Sequence, residues 1–264
     1  MTLLQLLIPV AFAWAPAEES FDDALAAARA DASKNDRHVL VVRGAGDAAA
    51  ALRSAMKKDR DLRDKLLYEY DVVHAEEGTA ELAISAPDGA AVARSDLSAF
   101  SVGGAVDAAG LLAFLKEHQP GRRSATKLLK AAKARAKAEN KRVFVHFGAP
   151  WCGNCHELED WMAQPEVAPL LAKEFVDCKI DIDRTRRGRV LLDRTRTGEP
   201  GGIPWFCFFA PDGEKLIESN RESDGKNVGF PRGQANHVHV RKMLETGCIH
   251  LTEDEITTLV TSLP

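Results

Sequence analysis

The chain has 264 residues, 45% of them hydrophobic and 28% charged; this composition excludes a disordered or collagen-like chain and, at roughly 150 residues per domain, leaves room for two domains. A net charge of −4 lacks the basic footprint that phosphate backbones demand, so no nucleic-acid partner is expected. Five cysteines are too few for a disulfide scaffold, and their odd number leaves at least one thiol unpaired within the chain.

Residues 1–15 carry no charge, and Leu3–Ala15 is an apolar run of 13 residues, short of the roughly 20 that span a bilayer but suited to the core of a secretory signal. Ala11, Ala13 and Ala15 place small residues at cleavage spacing. The segment therefore predicts a signal peptide over 1–15, export to the periplasm or another extracytoplasmic space, and no stable membrane insertion of the mature chain. The competing reading is a buried N-terminal strand or helix, since no Lys or Arg precedes the run and Pro16 follows it.

Ser20 opens a helical pattern with Phe21, Ala24, Leu25, Ala28 and Ala32 on one face. The same figure returns at Ser124, with Ala125, Leu128, Leu129, Ala132 and Ala136. A shift of 104 positions lays Val39 on Val143, Val41 on Val145, Gly44 on Gly148, Leu66 and Leu67 on Leu170 and Leu171, and Val72 on Val176. Such a shift is the signature of an internal repeat. Each copy reaches the same hairpin turn, Ala86-Pro87-Asp88-Gly89 and Ala210-Pro211-Asp212-Gly213. These lie 124 apart, so the second copy carries 20 extra residues. The expected organisation is a first domain over 18–118, a linker over 119–123 at Gln119-Pro120-Gly121, and a second domain with a helical tail over 124–264. Residues 16–120 carry a net charge of −7 and residues 121–264 a net charge of +3.

The second copy predicts a helix over about 124–139, a strand at Val143–Phe147, a helix from about Cys152, and a helix opened by Pro165 that contains Val167, Leu170, Leu171 and Phe175. A strand at Val176–Ile182, a helical stretch through Val190–Leu192 and a hairpin of strands Trp205–Phe209 and Lys215–Glu218 complete it. The fold class is α/β, with a mixed central sheet flanked by helices in each of two tandem domains. Thr252 and Glu255 form a capping box for a late helix.

The chemistry sits at Phe147-Gly148-Ala149-Pro150-Trp151-Cys152-Gly153-Asn154-Cys155-His156. A cysteine in the first turn of a helix has its thiolate stabilised by unpaired N–H groups and the helix dipole, so Cys152 is expected to be an exposed thiolate of depressed pKa. Cys155, one turn on, is expected to face the interior as the resolving thiol.

With Val143–Phe147, Trp151 to Cys155 and Gly201-Gly202-Ile203-Pro204 before a strand, residues 124–218 resemble the thioredoxin superfamily, most closely its exported bacterial Trp-Cys-x-x-Cys-His branch. The resemblance implies a cis bond before Pro204 facing the cysteines, a free backbone at Ile203 for a bound peptide, and Trp151 flanking the thiolate. It also implies thiol–disulfide exchange with protein clients and a separate electron donor or acceptor, with no bound cofactor. Many members place a buried acid where this chain has His146; imidazole can relay the same proton, and a core histidine bonded to a carbonyl is the plain alternative. Asn154 replaces the usual proline between the cysteines, leaving the direction of electron flow open. In the first copy Ala48 and Ala51 fall at the cysteine positions and Ala80 near the proline position, so that domain is expected to be redox-inactive, serving client binding or positioning.

The rival class is a non-enzymatic interaction protein, or a metal- or haem-binding protein in which the pair is structural or a ligand. Cys152 to His156 also fits a c-type haem attachment pattern, but the preceding strand, Trp151 and Pro204 favour the redox reading. Cys178 and Cys207 read as small buried hydrophobes, and Cys248 has no evident partner. His237 and His239, taken as sharing a strand face, and His250 form a weak metal pattern. Arg184, Arg186, Arg187, Arg189, Arg194 and Arg196, interleaved with Asp183 and Asp193, read as a solvated helix face.

Overall fold

A computed structural model describes residues 20–198 and 201–264; the expected signal at 1–15 lies outside them. The chain divides after Pro120 into two compact units. No helix among the described residues is long and apolar enough to cross a membrane.

The first unit runs α1 (Phe21–Asn35), β1 (His38–Arg43), α2 (Asp47–Lys58), α3 (Arg60–Glu69), β2 (Tyr70–Ala75), β3 (Glu81–Ser85) and β4 (Ala91–Asp96). A 3-10 turn, the short ribbon β5 (Ser101–Val102) with β6 (Ala105–Val106), and α4 (Ala108–Glu117) follow. Its sheet order is β2-β1-β3-β4, with β1 parallel to β2 and antiparallel to β3. Alternation along β1 splits the core into two layers: Leu40 and Val42 pack with Leu52, Leu62, Leu82 and Leu111, while Val39 and Val41 face α1.

The second unit runs α5 (Ala125–Glu139), β7 (Arg142–Gly148), α6 (Gly153–Met162), α7 (Ala168–Glu174), β8 (Phe175–Asp181), α8 (Gly188–Thr195), β9 (Trp205–Phe209), β10 (Lys215–Glu218), α9 (Gln234–Gly247) and α10 (Glu253–Thr261). The strand order β10-β9-β7-β8, with β7 parallel to β8 and antiparallel to β9, repeats that of the first unit. Under α6 and α9, Phe144 is ringed by Phe175, Phe206 and Phe208 at centroid distances of 5.6, 5.6 and 5.1 Å.

The likeness between the two units extends to helix ends. α1 stops at Asp36 and α5 at Asn140, both left-handed at φ 55° and 53°, residue types that tolerate this conformation through their short polar side chains. In both, the next N–H returns to an alanine carbonyl, Arg37 to Ala32 at 2.9 Å and Lys141 to Ala136 at 2.8 Å. The 104-residue shift does not hold throughout. β1 pairs His38 with Tyr70, whereas β7 pairs Arg142 with Phe175, so one residue is inserted before β8 and the buried Leu66 corresponds to the buried Leu171 rather than Leu170.

Several local expectations change. Ser20 caps α1 through Asp23 N–H, but the Ser124 side chain makes no cap bond; its backbone bridges Arg186 instead. Pro165 lies in a turn before α7, and Phe175 begins β8. His237 and His239 are on helix α9, where an i, i+2 pair points to different sides: His239 is buried against the Glu218 carbonyl and His237 meets that of Pro264. Ala48 and Ala51 are exposed; the inward positions of α2 are Ala49 and Leu52.

Candidate functional site

β7 carries the chain to the N-terminus of α6, where Cys152 is the N-cap in extended conformation and is joined to Cys155 by a disulfide with Cα atoms 5.2 Å apart. The Cys155 N–H donates to Cys152 Sγ at 3.2 Å, a contact that stabilises negative charge on that sulfur when the bond is reduced. Cys152 is only 5% exposed and Cys155 3%. The expected exposed first cysteine is thus covered in the oxidised form, because its sulfur turns back under the helix to meet Cys155.

Two loops frame the pair. Trp151 is 55% exposed, and its Nε1–H donates to Asp183 Oδ2 at 2.8 Å while Arg189 donates to Asp183 Oδ1 at 2.8 Å. On the other side the Ile203–Pro204 bond is cis, and the Ile203 carbonyl oxygen lies 3.6 Å from Cys152 Sγ. This loop is held from outside: Asn227 donates to the carbonyls of Gly202 at 3.0 Å and Pro204 at 2.8 Å, and Arg196 donates to that of Gly201 at 2.6 Å. Ser219 fixes Asn227 by donating to its Oδ1 at 2.8 Å.

Beneath the helix, Gly148 allows close approach: a Cβ there would stand 3.3 Å from Cys155 Cβ and 3.4 Å from its sulfur. His146 lies one pleat back on the same strand face. It is buried, with Nε2 2.9 Å from Asp177 Oδ1 at ion-pair distance, out of line for a hydrogen bond. Beside it, Lys179 pairs with the buried Glu159 of α6 at 2.6 Å. The structure therefore brings Cys152, Cys155 and Ile203 together and sets His146 below them with a carboxylate neighbour. Trp151 is turned toward Asp183.

Sequence reasoning missed Glu159, Asp177, Lys179, Asp183 and Asn227 as parts of this environment. Glu159 stands four residues after Cys155, one turn along the same helix face, which was a readable signal. Asn227 belongs to a loop beyond β10, and no local pattern links it to the Pro204 loop.

Cys178 and Cys207 are buried between the sheet and α5. Burial pushes the Cys178 thiol up to about 12, and raises Cys207 and Cys248 well above the ordinary thiol value; the Glu174 charge adds to the shift at Cys248. The arginine run is not a uniform solvated face: Arg184 is buried, Arg189 serves Asp183, and the largely covered Arg196 serves Gly201. Among the described residues no group of three or more His, Cys, Asp or Glu is placed to hold a metal ion.

Residues 124–211 match the family model described as Thioredoxin-like. Among solved structures, the chain is similar to a disulphide isomerase from Xylella fastidiosa Temecula1, with 29% identity, coverage of 36% of this chain and 72% of that one, and a TM-score of 0.33. It is also similar to a thioredoxin from Thermus thermophilus, with 29% identity, 33% and 68% coverage and a TM-score of 0.29. A third likeness is to the C-terminal domain of DsbD from Neisseria meningitidis in its oxidised form, with 27% identity, 37% and 84% coverage and a TM-score of 0.29. No curated protein matches the chain. Sequence match and strand order together give the second unit a thioredoxin-like fold.

Proposed function

We propose that the second unit is a thiol–disulfide oxidoreductase acting on protein clients through Cys152 and Cys155. The observation that carries this reading is the Cys152–Cys155 disulfide at the N-terminus of α6, with the Ile203 carbonyl 3.6 Å from Cys152 Sγ. In the reducing direction the Cys152 thiolate attacks one sulfur of a client disulfide; a Cys152–client disulfide forms and the other client sulfur leaves as a thiolate that takes a proton. Cys155, having given up its proton, then attacks Cys152 Sγ. The client leaves as a dithiol, and two electrons have passed from the protein dithiol to the client. The oxidising direction is the reverse, and a separate thiol or disulfide partner resets the pair. In this reading His146, which has Asp177 beside it, exchanges the Cys155 proton. The backbone of Ile203 pairs with the client, and the exposed Trp151, beside Cys152 in the chain, offers the client an aromatic surface.

The first unit contains no cysteine and serves binding or positioning. The 1–15 leader directs export, and N-terminal sequencing of protein recovered from an exporting host tests it: an intact Met1 overturns this part. For the chemistry, Cys155→Ser removes the resolving thiol, so mixed disulfides through Cys152 accumulate and are released by reductant, while the unsubstituted protein reduces insulin. No trapped client together with no insulin reduction overturns the assignment in favour of a structural pair.

A further inference from the structure

The two sheets share strand order, so their registers give equivalent positions. Val39 faces Ser85 where Val143 faces Phe209, and Val41 faces Ala83 where Val145 faces Cys207. Continuing the same register, Arg43 stands at the place of Phe147 and Glu81 at that of Trp205. In the second unit this side of the sheet is filled under α5: Phe147, Trp205, Cys207 and Phe209 are buried, and Lys133 lies 4.3 Å over the Phe209 ring. In the first unit the large side chains are gone, and a cavity of about 340 Å³ opens between α1 and the sheet. That volume falls in the range of small-ligand sites.

Its lining is basic within an acidic unit. Arg29 from α1, Arg43 from β1 and Arg94 from β4 line it together with one carboxylate, Glu81. Glu81 stands at 3.7 Å from Arg43 and 3.8 Å from Arg94, ion-pair but not hydrogen-bond distances. Arg29 has no ion pair among the described residues and rests against Gly89, where a Cβ would come 3.3 Å from the guanidinium; Gly89, at φ 90°, keeps the turn open there. Arg43 is steadied by the Phe21 ring at 4.6 Å. Three guanidinium groups thus converge with no hydrogen-bond acceptor among the described residues, leaving two positive charges uncompensated. Guanidinium forks match the paired oxygens of carboxylate and phosphate.

We infer that this cavity of the first unit binds a small organic dianion, a phosphate monoester or a dicarboxylate, whose oxygens accept from Arg29, Arg43 and Arg94. The inference does not depend on the reactivity of Cys152. The test is titration of the full chain, by calorimetry, with phenyl phosphate and with succinate. Saturable binding of at least one is expected, and which one binds identifies the source of the two charges. Arg29→Gln and Arg94→Gln should each weaken binding about tenfold or more, while Arg60→Gln, at an exposed position of α3, leaves it unchanged. Ser85→Phe, which restores the bulk found in the second unit, should abolish it. Absence of saturation by either probe to about 10 mM, unchanged binding in both cavity arginine variants, or full binding in a folded Ser85→Phe protein overturns the inference.

Discussion

The side-chain amide of Asn227 donates to the carbonyl oxygens of Gly202 and Pro204 at once, at 3.0 and 2.8 Å. One polar side chain thereby fixes both ends of the loop that faces Cys152. Asn227→Ala removes four side-chain hydrogen bonds and is expected to lower stability by about 2–4 kcal/mol and to raise the KM for a client disulfide more than it lowers kcat. Asn227→Asp, which replaces the donor with a charge facing two carbonyls, should do worse than alanine in turnover. Urea unfolding together with insulin reduction measures both effects.

Thiol chemistry should separate the five cysteines sharply. In reduced native protein near pH 8, iodoacetamide is expected to modify Cys152 and to spare Cys178, Cys207 and Cys248, whose thiols burial holds in the neutral form. Peptide mass mapping before and after unfolding reads this directly. The same burial sets a pH dependence. The unfolded chain releases these protons near 9.0 and the folded chain only at higher pH, so their contribution to stability is complete below about pH 9 and falls as the pH rises above it.

Gly148 is where the strand makes room for the resolving cysteine. Gly148→Ala places a methyl group 3.3 Å from Cys155 Cβ and is expected to cost about 1–3 kcal/mol through overpacking. Gly121→Ala, at a position with open space around it, should stay within about 0.5 kcal/mol. Equal denaturation midpoints for the two variants would show that the contact relaxes freely.

Glu174 is fully buried at the end of α7 and accepts the N–H groups of Ile249, His250 and Leu251 at 3.0, 2.7 and 3.2 Å. It anchors the segment between α9 and α10. Glu174→Ala leaves three backbone donors without their acceptor and is expected to cost about 3 kcal/mol or more. Limited proteolysis should then cut first between residues 247 and 253, which the unsubstituted protein resists.

The hairpin strands were legible because Trp205–Phe209 is a continuous apolar run ending in a Pro-Asp-Gly turn, and the structure places β9 and β10 at those residues. The placement of Cys152 at a helix N-terminus was legible for a similar local reason, an apolar strand running into a Gly-containing turn. Helix α9 was not, because His237-Val238-His239-Val240 alternates like a strand and Gly233 offers no side-chain cap. Its inward residues, His239, Val240, Met243, Leu244 and Gly247, show the helical period only over a longer window. Asn227, Asp183 and Asp177 act on partners that only the folded chain brings near them, and local patterning carries no trace of such closure.

The ring of phenylalanines around Phe144 has a counterpart that is aliphatic at three of its four places: by strand register Leu40, Leu82 and Ile84 stand where Phe144, Phe206 and Phe208 do, and the aromatic Tyr70 stands at the place of Phe175. During folding, two sheets of one strand order on one chain invite exchange of strands between them, a characteristic failure of repeated domains. A phenylalanine strand delivered to the aliphatic sheet would overfill it, and the reverse exchange would leave cavities. The divergence in side-chain size therefore works as a label of ownership for the two central strands of each sheet, β1 and β3 in the first unit and β7 and β9 in the second, which only the sheet of origin accepts without misfit.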